Sequence, residues 1–286
     1  FSERLEPYTA TVSAEEVAGS AEETPTIEDV LADDTEDEEF EAALSEAVTR
    51  PGESVPRNAA PQPEGPVAEE PQTAKAFADC AAKSGAFSLM GGRVVFPEPV
   101  GLVQSDGGKI KSWGACYSLN QGMSVETSTP PVAADLDFVS GANMVAARSF
   151  IKAVGLMKED YFLYYEEVDW AARRGAFPLV WCREALVAHH VGTAIGSGSF
   201  DRQASAFAEY FNNRNRMWFI WRFRRWTTPF AYAGSLARSL RLLLRGDASA
   251  AISAFMGISQ LPPPRAVRAK VADEARDLAF RGRSSR

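Results

Sequence analysis

YFLYYEEVDWAARRGAFPLVWCREALVAHHVGTA, residues 161–194, places two adjacent carboxylates, a third carboxylate two residues on and both histidines of the chain in one aromatic-rich stretch. Tyr161, Phe162, Tyr164, Tyr165 and Trp170 surround Glu166, Glu167 and Asp169 in sequence. Carboxylates are seldom buried without partners, so the cluster is either solvated or engaged. VDWAARRG predicts a short helix that starts near Glu166 and ends at Gly175. PLVWC, residues 178–182, predicts a strand, and EALVAHH, residues 184–190, a further strand-like run.

Upstream of this stretch the same alternation continues. AKAFADCAAKSG (74–85) predicts a helix that closes on Gly85, and AFSLMGGRVVFPE (86–98) a buried strand with a break at its glycines. SDGGKIKSWG (105–114) is turn chemistry leading into a strand, and residues 118–134 read as a loop. DFVSGANMV (137–145) reads as a strand kinked at Gly141, and AARSFIKAVGLM (146–157) as a helix with Phe150, Val154 and Met157 on one side. Strands and helices alternating at these lengths indicate an α/β sheet with parallel elements.

Downstream the chain becomes helical and cationic. Residues 204–226 combine many aromatics with five arginines, and a second helix over 229–245 sets Leu236, Leu240, Leu243 and Leu244 against Arg238, Arg241 and Arg245. A basic amphipathic pair suits an anionic membrane surface, and an ordinary packed helical tail fits the pattern equally well.

The charge is divided unevenly. Residues 1–74 hold 20 Asp/Glu against 3 Lys/Arg, a net of −17, whereas the rest holds 18 against 27, a net of +9. The acidic arm has few large apolar residues and cannot offset its chain entropy by burial, so residues 1–73 read as disordered, apart from a short helix near 38–48. PRNAAPQPEGPVAEEP (56–71) reads as an extended linker. Three cysteines, Cys80, Cys116 and Cys182, show no metal-type spacing and favour a reducing compartment. No signal peptide and no apolar run of bilayer length is visible, which predicts a cytoplasmic protein, peripheral at the inner face of the cell membrane. Nucleic-acid binding is disfavoured, because the arm would compete for the arginines and no recognised module is present.

Glu166 and Glu167 fall at a helix start, where the dipole favours ionised carboxylates while like charge and burial raise a pKa. One of them can serve as a general base. On a helix Glu167, Trp170 and Arg174 share a face, so a base, a stacking platform and a cation can converge there. The alternative is an acidic helix cap without chemistry, and spacing by itself favours that alternative. His189 and His190 are adjacent on a strand and point to opposite faces, so one at most faces a site. An imidazole with carboxylates can bind a divalent cation. Arg214 and Arg216 in NNRNR can bind phosphate, although helix arginines are usually solvated.

Taken in order, SDGGKIKSWG, DFVSGANMVAARSFIKAVGLMKEDYFLYYEEVDWAARRG, PLVWCREALVAHHVGTAIGS and AEYFNNRNRMWFI resemble the C-terminal half of family 2 glycosyltransferases, in particular the rhamnosyltransferase-like members. The resemblance spans roughly residues 74–264. It implies part of a GT-A-like sheet over 74–202, a basic helical region over 203–264 and a tail over 265–286. It further implies inverting transfer of a sugar from a nucleotide-diphosphate sugar to a glycan or lipid-linked acceptor. Glu167 would be the base, with Glu166 and Asp169 positioning acceptor and base. His189 would complete a Mg²⁺ or Mn²⁺ site at the diphosphate, and Gly141, Ala142 and Met144 would line the sugar pocket, with Trp170, Arg214 and Arg216 as further ligand contacts.

The family's nucleotide-binding half, with its Asp-x-Asp strand, is not legible ahead of Ala74, where the chain reads PQPEGPVAEEPQT. Asp33-Asp34 imitates the motif inside an acidic run that explains it better. Three explanations stand: a first half on another polypeptide, a misread upstream frame, or lost catalysis with acceptor or membrane binding retained. The alternative function is accordingly a non-catalytic membrane- or partner-binding protein.

Overall fold

The computed structural model describes residues 70–97, 100–190 and 204–280. The acidic arm as far as residue 69, its expected helix at 38–48 and Asp33-Asp34 lie outside the described residues, as do 191–203, whereas residues 70–73, expected to be disordered, belong to the first helix, where the Thr73 hydroxyl donates to Leu186 O at 2.6 Å. The first helix, α1 (Glu70–Ser84), begins earlier than its apolar pattern and stops where Gly85 turns to a left-handed φ of +64°. Phe77 on α1 packs with Phe87, Met90, Cys182 and Ala185 on one face of the sheet.

That sheet is small and mixed. β1 (Leu89–Val95) is central and runs parallel to β6 (Val180–Ala188). Its other edge is shared by two short antiparallel strands, β5 (Met144–Ala146) beside residues 89–91 and β2 (Val103–Ser105) beside residues 94–95. One pairing is therefore parallel and two are antiparallel. β1 stays one strand through its glycines, but its pairing with β6 shifts register between Gly91 and Arg93. A Cβ on Gly92 would stand 2.2 Å from the Ala185 carbonyl oxygen and 2.7 Å from Asn143 Nδ2. The missing side chain lets β6 and the buried Asn143 amide close on β1, and Asn143 Nδ2 donates to the Arg93 and Ala185 carbonyls at 3.1 Å each. Residues 178–182 and 184–190, expected as two runs, form a single strand ending at Ala188.

β3 (Gly108–Ile110) and β4 (Cys116–Ser118) make a separate antiparallel hairpin. Its base is tied to β1 by the buried pair Arg93–Asp106, with Nε–Oδ1 at 2.8 Å and Nη2–Oδ2 at 2.6 Å. The kinked strand expected over 137–145 is two pieces. Phe138 bridges Gly108, a turn closed by Asn143 N–H to Ser140 O at 3.1 Å follows, and only then does β5 begin. Asp137 Oδ2 accepts the Ile110 amide at 2.7 Å, which draws the first piece toward the hairpin rather than the sheet.

α2 (Arg148–Val154) ends at Gly155, φ +88°, so Met157 lies beyond the helix instead of on its buried side. α3 (Glu166–Ala172) follows, and after β6 come α4 (Ala206–Phe223), α5 (Thr228–Leu244), α6 (Ala248–Ile258) and two short helices, α7 (Arg265–Ala269) and α8 (Arg276–Ala279). α4 is buried on nearly every side, so it is a central helix rather than one member of an amphipathic surface pair. Phe219 and Ile220 on α4 join Leu89, Val139, Phe150, Tyr161 and Trp170 in the main core.

α5 is packed the opposite way from its leucine pattern. Ala231, Ser235, Ser239 and Leu242 face inward, while Leu240 and Leu244 are 57% and 78% exposed. Leu242 of α5 packs on Ala250, Ala251 and Ala254 of α6, whose small side chains let the two helices approach closely. Among the described residues no helix is long and apolar enough to cross a membrane.

Candidate functional site

The approach to α3 is strained. Phe162, Tyr164 and Tyr165 all hold left-handed φ values, 63°, 65° and 71°, at about 1–3 kcal/mol each. The strain persists because neighbouring elements over-determine the turn. Asn215, wholly buried on α4, donates its side-chain amide to the carbonyls of Tyr161 (2.9 Å), Leu163 (2.5 Å) and Tyr164 (3.0 Å). Arg214 adds a bond from Nη2 to Tyr161 O at 2.9 Å, and the Tyr165 hydroxyl donates to Gly114 O at 2.8 Å. The NNRNR segment and the Tyr-rich segment are thus two halves of one clamp, and the clamp sets where Glu166 and Glu167 emerge.

Glu167 is half-buried at the first turn of α3. Burial, then the charge of Glu166, pushes its carboxyl up to about 7, against the pull of the Glu167 and Val168 backbone amides. Burial also raises Glu166, whose Oε2 is enclosed without a hydrogen-bond partner. A carboxyl raised to about 7 suits proton exchange with a bound hydroxyl near neutral pH. Gly141, exposed in the 140–143 turn, faces Glu167. A Cβ there would meet nothing nearer than Glu167 Cδ at 4.0 Å.

The other expected site residues divide. Asp169 is completely buried and engaged, pairing with Arg173 Nε at 2.6 Å and with Arg222 Nη1, and accepting from the Tyr161 hydroxyl at 3.1 Å. It bolts α3 to α4 and does not itself reach the open side. Trp170 turns away from Glu167 into the core, its indole N–H on Gly155 O at 2.9 Å and its ring 5.2 Å from Phe150. Arg174 is bonded to Ala171 O at 2.9 Å, so the three residues that share a helix face do not converge on a common ligand space. Ala142 is exposed beside Gly141, and Met144 on β5 packs against the core.

Arg214 lies 4.6 Å from the Phe211 ring and 4.5 Å from the Trp218 ring, and donates to Ala279 O and Tyr161 O. Burial pushes its pKa down to about 10. Its donors are engaged within the fold, which corrects the expectation that it holds phosphate. Arg216, two residues on and therefore on a different side of α4, opens on a pocket shared with Cys116 and Tyr165. Burial pushes the Cys116 thiol up to about 12; Glu167 and Asp137 add to the rise and Arg216 opposes it, so these groups are electrostatic neighbours.

His189 sits just past β6, exposed, with Nδ1 3.2 Å from Gln104 Oε1. Burial, then the neighbouring His190, lowers its pKa. Among the described residues no three His, Cys, Asp or Glu side chains converge. They do not by themselves form the Mg²⁺ or Mn²⁺ site that the resemblance implies.

Asn215, Tyr165 and Cys116 were not distinguished by the sequence. An Asn between two arginines on a helix has no periodic signature, and only its contact with a turn some 50 residues away gives it a role. Comparison of the chain with protein families, curated proteins and solved structures returned no match.

Proposed function

We propose that the protein is the acceptor-side half of an inverting, GT-A-like glycosyltransferase, in which Glu167 is the base that deprotonates a hydroxyl of a glycan or lipid-linked acceptor. The observation that supports this most directly is a half-buried carboxyl raised to about 7 and facing a side-chain-free turn at Gly141. As the acceptor oxygen forms its bond to the anomeric carbon, its proton passes to Glu167 and the bond from that carbon to the nucleotide diphosphate breaks. Burial, with the charge of Glu166 adding to it, raises the Glu167 carboxyl to about 7, and Asp169, through Arg173 and Arg222, holds α3 against α4. The chain's own described residues do not supply a metal site, so no step is assigned to one.

The test is nucleoside diphosphate release from UDP- or dTDP-sugars by the full chain in the presence of polyprenyl-diphosphate-linked acceptors. Glu167→Gln should lower transfer by about 100-fold or more while acceptor binding stays nearly intact. Full activity in that variant would remove Glu167 as the base.

A second reading, a non-catalytic membrane-binding protein, is favoured by one observation. Leu240, Leu243 and Leu244 of α5 and Trp226 just before it are exposed alongside Arg225 and Arg245. Such a face suits an anionic bilayer surface. Failure to bind either nucleotide sugar, combined with salt-sensitive adsorption to anionic vesicles, would favour this reading over the first.

A further inference from the structure

Beside the Glu166–Glu167 pair, between the β3–β4 hairpin and the helices α4 and α5, lies a pocket of about 240 Å³. Three cationic side chains line it, Lys111 from the hairpin turn, Arg216 from α4 and Arg238 from α5. Glu209 supplies the one carboxylate among the described lining residues. That carboxylate is already matched, since Arg238 Nη2 and Nε reach its two oxygens at 2.8 and 3.3 Å and Asn213 Nδ2 donates to it at 3.1 Å.

Arg216 is not matched in this way. Its Nη2 donates to Asn213 Oδ1 at 3.2 Å, but its Nε is enclosed and has no hydrogen-bond partner. A buried guanidinium N–H without an acceptor carries a desolvation cost that an anion in the pocket would relieve. The walls are aromatic. Lys111 Nζ stands 5.6 Å from the Trp113 ring and 5.4 Å from the Tyr117 ring, so the ammonium is held against two aromatic residues that also line the pocket. Cys116 and Tyr165 complete the side toward Glu167.

We propose that this pocket is an anion site in which Arg216 and Lys111 receive a phosphate or diphosphate group, with Trp113 and Tyr117 flanking whatever is esterified to it. Planar guanidinium and ammonium donors at an aromatic-walled cavity fit phosphate oxygens better than a neutral sugar. The position deepens the glycosyltransferase reading, because it sets the charged end of a substrate next to the base. The binding itself does not depend on transfer. The phosphate can belong to a nucleotide-sugar donor or to a lipid-diphosphate acceptor, and the two sources are separable.

The experiment is titration of the full chain with inorganic pyrophosphate, followed by tryptophan fluorescence and calorimetry at low and high salt. Pyrophosphate should bind in a salt-sensitive manner. Arg216→Met and, independently, Lys111→Gln should each weaken it by about tenfold or more, with the thermal transition retained in at least the Lys111 variant. Glu167→Gln should tighten it, because a neighbouring negative charge is removed. UDP competing with pyrophosphate would assign the pocket to the donor, and a short-chain polyprenyl diphosphate competing where UDP does not would assign it to the acceptor. Absence of pyrophosphate binding, or binding unchanged in both cation variants, would overturn the proposal. Pyrophosphate binding lost in those variants, in a chain that transfers no sugar, would leave the anion site standing and remove the transferase reading.

Discussion

Replacing Glu167 by Gln should stabilise the protein at alkaline pH, even though it removes the proposed base. The folded state raises this carboxyl from 4.5 to about 7, mainly by burial. A group whose folded pKa lies above its unfolded value binds more protons when folded, so stability falls as pH rises between the two values. Below about 4.5 both states are protonated and Glu167 costs nothing, whereas above about 7 the ionised carboxylate carries the full penalty. At 1.36 kcal/mol per unit the upper limit is about 3 kcal/mol, and solvent contact at a half-buried side chain reduces the expected value to about 1–2 kcal/mol. Gln keeps the shape and removes the charge. Urea unfolding at about pH 5 and about pH 8 should therefore show a variant close to wild type at the lower pH. At the higher pH its midpoint should be raised by roughly 0.5–1 M. An equal difference at both pH values, or a variant less stable at the higher one, would refute the assignment of Glu167 as a buried, proton-holding carboxyl.

Glu166→Gln removes the second cause of the Glu167 shift, so the acidic limb of the transfer pH profile should move to lower pH, read from rates across about two pH units either side of neutrality. Asn215→Ala strips the left-handed turn of three carbonyl contacts and should lower stability by about 2–4 kcal/mol in thermal or urea unfolding, with transfer lost in proportion to a displaced Glu167. Asp169→Asn leaves Arg173 and Arg222 without their shared counter-charge and should cost about 3–5 kcal/mol by the same assay. Gly141→Ala meets nothing nearer than 4.0 Å and should change stability by under about 0.5 kcal/mol, whereas Gly141→Leu should leave the fold intact and weaken acceptor binding in a titration.

Local chemistry made parts of this structure readable in advance. The stop signal at Gly85, the helix start at Glu166 and the strand around residue 180 all depend on residues close in sequence, whereas the stop at Gly155 was hidden by an apolar pattern that continues to Met157. The carboxylate cluster was legible as a site candidate for the same reason. The glycines of β1 were legible only as a break, because their use is to admit Ala185 and Asn143 from distant segments. Residues 137–145 looked like one strand, because nothing local shows that Asp137 will accept a hydrogen bond from Ile110 across the hairpin.

The sequence alone determined the mixture of strands and helices with a helical C-terminal part, the division between an acidic arm and a basic body, and the gathering of Glu166, Glu167 and Asp169 at one helix start. Tertiary structure decided what each of those residues faces. It sent Asp169 into an ion-paired joint and left Glu167 beside Gly141. It buried Arg214 while turning Arg216 to a pocket, and packed α5 through Ala231, Ser235, Ser239 and Leu242 with Leu240, Leu243 and Leu244 outward. Periodicity records that a helix has two faces, but only the shape of the partner surface selects the one that is buried. On α5 the buried face carries Ala231, Ser235, Ser239 and Leu242, and Leu242 packs on the small Ala250, Ala251 and Ala254 of α6, while Leu240 and Leu244 stay exposed.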